Sequence, residues 1–237
     1  MKNLVYPDIC IICKKFFENS SSNYDKSRFP KDFREVFGDV LCCECLGRIF
    51  FANCGLSGFP GKKSCLDSVV SPFLYRDSIV DIVHLLKYNN KIFLAEKISW
   101  FILKSYLDLY KEEFPDLALF VPMHKKAFRK RGFNQTYLIA WKTFKLAETN
   151  RIYFPEVHKN ILLKTKNTMS QAELKKEERL KNISNAFNVN NPCSVKGKRI
   201  LIIDDVCTTG STLEECAKTL VKSGARSVDA ITFARAV

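Results

Sequence analysis

The 237-residue chain is predicted to be an α/β protein: a parallel sheet flanked by helices, preceded by a small zinc-ribbon-like module. Three observations predict it. Ile200 to Ile203 is a continuous apolar run, as expected of a parallel strand buried on both faces. After it come two acids, Asp204 and Asp205, and a hydroxyl-rich loop, Thr208-Thr209-Gly210-Ser211-Thr212. The apolar positions Leu213, Cys216, Ala217, Leu220 and Val221 then fall on one helical face. Upstream, Cys10/Cys13 and Cys42/Cys45 form two C-x-x-C pairs, the spacing of a four-thiolate metal site.

Composition frames the rest. With 46% hydrophobic residues the chain can bury a core, and no stretch approaches 18 apolar residues, so no membrane span is expected. The first ten residues lack the apolar segment of a signal peptide. A cytoplasmic protein is therefore expected, in which ten cysteines serve as metal ligands and buried thiols rather than disulfides. A net charge of +13 points to an anionic partner: nucleic acid, a phosphorylated ligand or a lipid surface.

In residues 1–65, two thiolates from each C-x-x-C turn complete a tetrahedral zinc site. Four cysteines leave no open coordination position, so its role is structural. The competing reading is reduced thiols in a small core. The 28 residues between the pairs exceed the usual spacer, and the polar run Asn19–Asp25 reads as the extra loop. Cys43 is an alternative to Cys42, and Cys54 and Cys65 are further candidates. Four Gly or Pro residues between Gly55 and Lys63 mark a boundary, giving a metal module over 1–65 and an α/β domain over 66–237.

Along that domain, Val69–Tyr75 reads as a strand, and Asp77–Tyr88 as an amphipathic helix on Ile79, Ile82, Val83 and Leu86. His84 is read as a helix residue, not a ligand. Leu94–Tyr110 is a second helix and Leu117–Met123 the next buried strand. A basic stretch, His124 to Arg131, leads through Gly132-Phe-Asn-Gln135 into a helix. Ile161–Lys164 reads as a strand, residues 165–171 show no apolar period, and Ala172–Lys181 is highly charged. Val228–Ala234 completes a sheet of about five strands. Two capping boxes, Ser211/Glu214 and Thr212/Glu215, fit the helix after the hydroxyl loop, and Gly224 is placed to end it.

Backbone N–H groups at that helix start, beside hydroxyls and a glycine, suit a phosphate. Carboxylates would repel it, unless they accept hydrogen bonds from a sugar's vicinal hydroxyls. The ligand so described is a ribose 5-phosphate. A Walker A loop is excluded because G-x-x-x-x-G-K-[ST] is absent here.

Ile202-Ile-Asp-Asp-Val-Cys-Thr-Thr-Gly-Ser-Thr212 resembles the phosphoribosyl-pyrophosphate (PRPP) signature of type I phosphoribosyltransferases. From Cys10 onward the chain is similar to the ComF competence proteins. The resemblance implies that Asp204 and Asp205 hold the ribose, and that Thr208, Thr209, Gly210, Ser211 and Thr212 hold the 5′-phosphate. Lys87, in a Leu-Lys-Tyr element, would lie near the pocket. Met123, His124, Arg129, Lys130 and Arg131, around the family's Arg131-Gly-Phe-Asn-Gln135 run, would meet pyrophosphate or DNA; Ala127 stands where the family commonly has arginine. Phe128 and Phe133 are candidate stacking platforms for nucleic acid. Thr168, Gln171 and Arg179 match the family's flexible loop. The implied ligands are PRPP with Mg²⁺ and a structural Zn²⁺, and the implied partners are incoming single-stranded DNA and a competence helicase. Three functions follow: a PRPP-binding protein of DNA uptake, an active phosphoribosyltransferase acting on a base or amine, or a nucleic-acid module with a vestigial or regulatory PRPP site.

Overall fold

A computed structural model describes residues 8–18, 33–52, 64–168 and 182–236. The N-terminal segment begins with a two-residue antiparallel ribbon, β1 (Asp8–Ile9) and β2 (Phe16–Phe17), followed by short helices α1 (Phe33–Phe37) and α2 (Cys43–Gly47). The α/β part runs β3 (Ser68–Val70), β4 (Phe73–Leu74), α3 (Ser78–Tyr88), α4 (Leu94–Leu109), β5 (Leu117–Phe120), α5 (Lys125–Arg131) and α6 (Gln135–Thr149). It continues with β6 (Leu162–Lys164), β7 (Phe187–Val189), β8 (Arg199–Cys207), α7 (Ser211–Lys222) and β9 (Ser227–Arg235).

The main sheet has the order β3-β9-β8-β5, with β4 also on β9, and every pairing in it is parallel. Alternation along the strands splits the core in two. Leu201 and Ile203 of β8, Ile231 and Phe233 of β9, and Ala118 and Phe120 of β5 face the cluster built with α3, α4 and α6. Ile200, Ile202, Val228, Ala230 and Leu119 face the opposite cluster, which α7 closes with Leu213, Cys216, Ala217 and Leu220. A period of two on β8 against helices on both faces is why its sequence reads as unbroken aliphatic.

Three local readings are corrected. Ser71 and Pro72 break the expected Val69–Tyr75 strand into β3 and β4. Leu162–Lys164 lies outside the main sheet and forms an antiparallel ribbon with β7. The capping boxes do not form: Gly210, left-handed at φ 73, occupies the N-cap without a side-chain bond. Glu214 instead accepts from Ser64 Oγ (2.6 Å) and Cys65 N (2.8 Å), and Glu215 accepts from Asn185 N (2.8 Å). Gly224 does end α7, at φ 96.

The N-terminal segment shares its core with the sheet. Phe33 and Phe37 stack at 4.3 Å; Phe33 meets Phe73 edge-on at 5.1 Å, and Phe73 meets Phe101 and Phe233. In the same cluster the Tyr106 hydroxyl is buried with no hydrogen-bond partner among the described residues. Removing an unsatisfied hydroxyl sheds a desolvation cost. Tyr106→Phe is thus expected to leave stability unchanged or raise it by up to about 1 kcal/mol, read by urea denaturation.

Candidate functional site

The register places the acids. β5 pairs with β8 only as far as Phe120↔Ile203, whereas β8 continues beside β9 to Cys207↔Arg235. Asp204 and Asp205 therefore stand on the part of β8 that has outrun its β5 neighbour, at the carboxyl edge where open α/β sheets bind ligands. Being adjacent on a strand, they leave it on opposite faces.

Asp205, 3% exposed, turns toward α3 and α6. Its Oδ1 accepts from Lys87 Nζ at 2.8 Å and its Oδ2 from Gln135 Nε2 at 2.8 Å. Burial works against the Lys87 charge, but Asp205 more than offsets it, so the lysine pKa is raised. Gln135 Oε1 in turn accepts from Arg131 at 2.5 Å, so cation, amide, carboxylate and ammonium form one chain. Asp204 is different. Its Oδ1 accepts the Asp205 N–H at 2.8 Å, and burial, then the charge of Asp205, pushes its pKa up to about 8.

The loop after β8 wraps onto α7. Thr209 Oγ1 and Ser211 Oγ share a 2.7 Å hydrogen bond. Thr208, Thr209 and Thr212 are half-exposed, and Gly210 and Ser211 are buried. No side chain caps α7, so the amide donors of its first turn face the loop, a cradle suited to a phosphate.

The structure separates the basic candidates. Lys87 and Arg131 join the Asp205 network, while Arg129 and Lys130 are exposed on α5. Met123 and His124 follow β5, both half-exposed; His124 caps α5, its Nδ1 accepting the Lys126 N–H at 3.2 Å. Phe128 is 47% exposed, whereas Phe133 packs against the core. Thr168 is at the end of the described ribbon; Gln171 and Arg179 lie outside the described residues.

Two participants escaped the sequence reading. Gln135 opens α6 as the last residue of the Arg-Gly-Phe-Asn-Gln run; its spacing of four from Arg131 was the available signal. Lys164 ends β6. Burial holds its pKa below the lysine range against the pull of Cys216 and Asp204, which places an amine on the Asp204 side of the sheet. Nothing in a lone lysine after an apolar run announces that, because it depends on the β6–β7 ribbon packing into the cluster under α7.

At the other end of the chain, the sulfurs of Cys10, Cys13, Cys42 and Cys45 lie within 4.8 Å of one another. Cys13 Sγ and Cys42 Sγ are 3.6 Å apart, against about 3.8 Å for the edge of a tetrahedron with zinc–sulfur bonds of about 2.3 Å. Cys43 is exposed and outside the cluster, which decides between it and Cys42. Cys65 is also outside; Cys54 is not among the described residues. Burial opposes ionisation of Cys10, but the backbone amides of Cys42, Cys13 and Ile12 outweigh it and lower its pKa to about 7. Burial and the neighbouring thiols push Cys45 well up instead, and Cys13 is also raised, so the four sulfurs share their protons unequally. It is the convergence of four thiols within bonding range of one ion that fits a closed metal site.

Comparison with known proteins adds the lineage. The phosphoribosyl transferase domain family matches residues 153–236. The "DNA utilization protein YhgH" of Escherichia coli (strain K12) is 29% identical over 157 residues; the match covers 65% of this chain and 66% of that protein, just under two thirds. The "Competence protein ComFC" of Bacillus subtilis (strain 168) is 28% identical over 258 residues, covering 96% and 95%. Among solved structures, a hypoxanthine phosphoribosyltransferase from Staphylococcus aureus is similar at 14% identity and TM-score 0.36, over 58% of this chain and 62% of that one. Among the described residues no helix is long and apolar enough to cross a membrane.

Proposed function

The chain belongs to the ComF family of competence proteins within the type I phosphoribosyltransferase superfamily, and from that premise we propose that it binds PRPP with Mg²⁺ and handles incoming single-stranded DNA on the cytoplasmic side during DNA uptake. The observation that carries the reading is the junction of β8 and α7: an acidic pair beyond the end of β5, Asp205 buried and Asp204 half-buried, followed by an uncapped helix N-terminus in a hydroxyl-rich loop. In this reading the loop amides and the hydroxyls of Thr208 to Thr212 take the 5′-phosphate, and Asp204 accepts from the ribose hydroxyls. Asp205 keeps its bonds to Lys87 and Gln135 and offers its remaining lone pairs to the sugar. In the same reading Arg131, tied to Gln135, meets the diphosphate that leaves C1. Magnesium, when bound with PRPP, neutralises that diphosphate; the two aspartates are the hard oxygen donors that would face it. The four-cysteine cluster is read as a structural zinc centre. A competence helicase enters as partner through the family resemblance alone.

An active phosphoribosyltransferase is the second reading, favoured by the intact acidic pair and loop, and both readings meet in one experiment. Mg²⁺–PRPP binding is measured by calorimetry, and pyrophosphate release with and without single-stranded DNA. Binding of PRPP and DNA without release makes PRPP an effector in DNA handling. Release that depends on DNA and on Asp204 makes the protein a transferase acting on nucleic acid. Failure to bind PRPP sinks both.

A further inference from the structure

We propose that Tyr88 is the stacking platform of a subsite for an unstacked nucleobase, beside the acidic-pair site. The inference rests on the reading of that site given above and adds a ligand class to it. Tyr88 is the last residue of α3, directly after Lys87, whose amine holds Asp205. It is 63% exposed, yet its ring is fixed. His84 meets it edge-on at 5.4 Å and 82°, and the Arg131 guanidinium carbon lies 5.3 Å from the ring centroid. Arg131 is tied to Gln135, and Gln135 to the Asp205 carboxylate. The ring of an exposed tyrosine is thus oriented by contacts that end on the proposed ribose-binding acid. Core packing does not account for it, because most of its surface is in solvent.

The surroundings specify the ligand. Immediately after Tyr88 the chain turns through Asn90, at φ 54, and exposes Ile92 and Phe93. Beyond Arg131, α5 presents Arg129 and Lys130 with Phe128 among them. Flat apolar faces interleaved with cations suit a ligand that carries planar rings on an anionic backbone. A base inside a duplex is covered on both faces, so the ring must be unstacked. It could arrive as a free base or nucleoside, or within a single strand.

The test compares wild type, Tyr88→Ala and Tyr88→Phe for binding of a labelled oligothymidylate, an abasic strand of equal length, and free adenine or thymidine as competitors. One stacked base is worth roughly fivefold to a hundredfold in affinity. The Ala variant is expected to lose that much on oligothymidylate and nothing on the abasic strand. The Phe variant should bind like wild type, and the salt slope should not change because no charge is removed. Competition by free adenine or thymidine assigns the subsite to free bases; its absence assigns it to a strand. Unaltered binding by Tyr88→Ala, an equal loss on the abasic strand, or no nucleobase binding by wild type overturns the proposal. Wild-type binding of Mg²⁺–PRPP, measured in parallel, reports on the reading of the acidic-pair site independently.

Discussion

Asp204→Asn is expected to weaken Mg²⁺–PRPP binding by roughly tenfold to a hundredfold, the worth of a hydrogen bond to a charged group. The same substitution should change the pH dependence of stability. In the folded protein Asp204 keeps its proton up to about pH 8, because burial and the neighbouring Asp205 disfavour its charge. In the unfolded chain it ionises near pH 4. Between those values the folded state holds more protons, so this group makes stability fall as pH rises from about 4 to about 8. Asparagine removes that slope, and the variant should gain thermal stability on wild type progressively toward pH 8. Ligand binding runs the other way. If ribose hydroxyls donate to the carboxylate, binding near pH 7 ionises Asp204 and releases a proton, seen by calorimetry in buffers of different ionisation enthalpy. Adding Asp205→Asn should bring PRPP binding below detection, but that variant is not structurally innocent. It strands the Lys87 ammonium without its carboxylate, a loss of about 3–5 kcal/mol for a pair this buried. A double variant that binds PRPP normally would remove the acidic pair from the proposed ribose site.

Cys10→Ser with Cys45→Ser should release the metal and lower the melting temperature of the whole protein, not of the N-terminal segment alone. Metal binding in such sites is folding energy, of order 10 kcal/mol. The reason it spreads here is the shared aromatic core: Phe33, in one cluster with the cysteines, meets Phe73 edge-on and Phe101 at a tilt, Phe37 stacks on Phe101, and Phe73 contacts Phe233 on β9. If even about 5 kcal/mol is lost, the melting temperature should fall by about 10–20 °C for a domain of this size. Calorimetry with elemental analysis checks both halves. A wild-type protein without bound zinc would remove the metal assignment. A variant that loses metal but melts normally would show that the aromatic contacts carry the module unaided.

Much of this architecture is legible in local chemistry. The Ile200–Ile203 run, the acids after it and the hydroxyl loop specify a buried strand feeding a helix N-terminus, because each feature acts within a few residues. The two C-x-x-C pairs are equally legible, since such a turn brings its own two sulfurs together, although Cys43 remained an alternative to Cys42. Less legible were the partners of the acids. Glu214 and Glu215 fit local capping boxes, yet they reach Ser64, Cys65 and Asn185, 30 to 150 residues away in sequence.

By itself, then, the sequence determined the parallel-sheet fold, the candidate ligand edge and the two C-x-x-C pairs, all written in short-range periodicity and spacing. Tertiary structure decided how the edge is used. Pleating sends Asp204 and Asp205 to opposite faces, so α3 and α6 bring Lys87 and Gln135 to one acid while the β6–β7 ribbon brings Lys164 toward the other. It also chose Cys42 over Cys43 and set Tyr88 against Arg131. Those choices depend on which distant surfaces meet once the sheet is packed on both sides, and no local pattern records that.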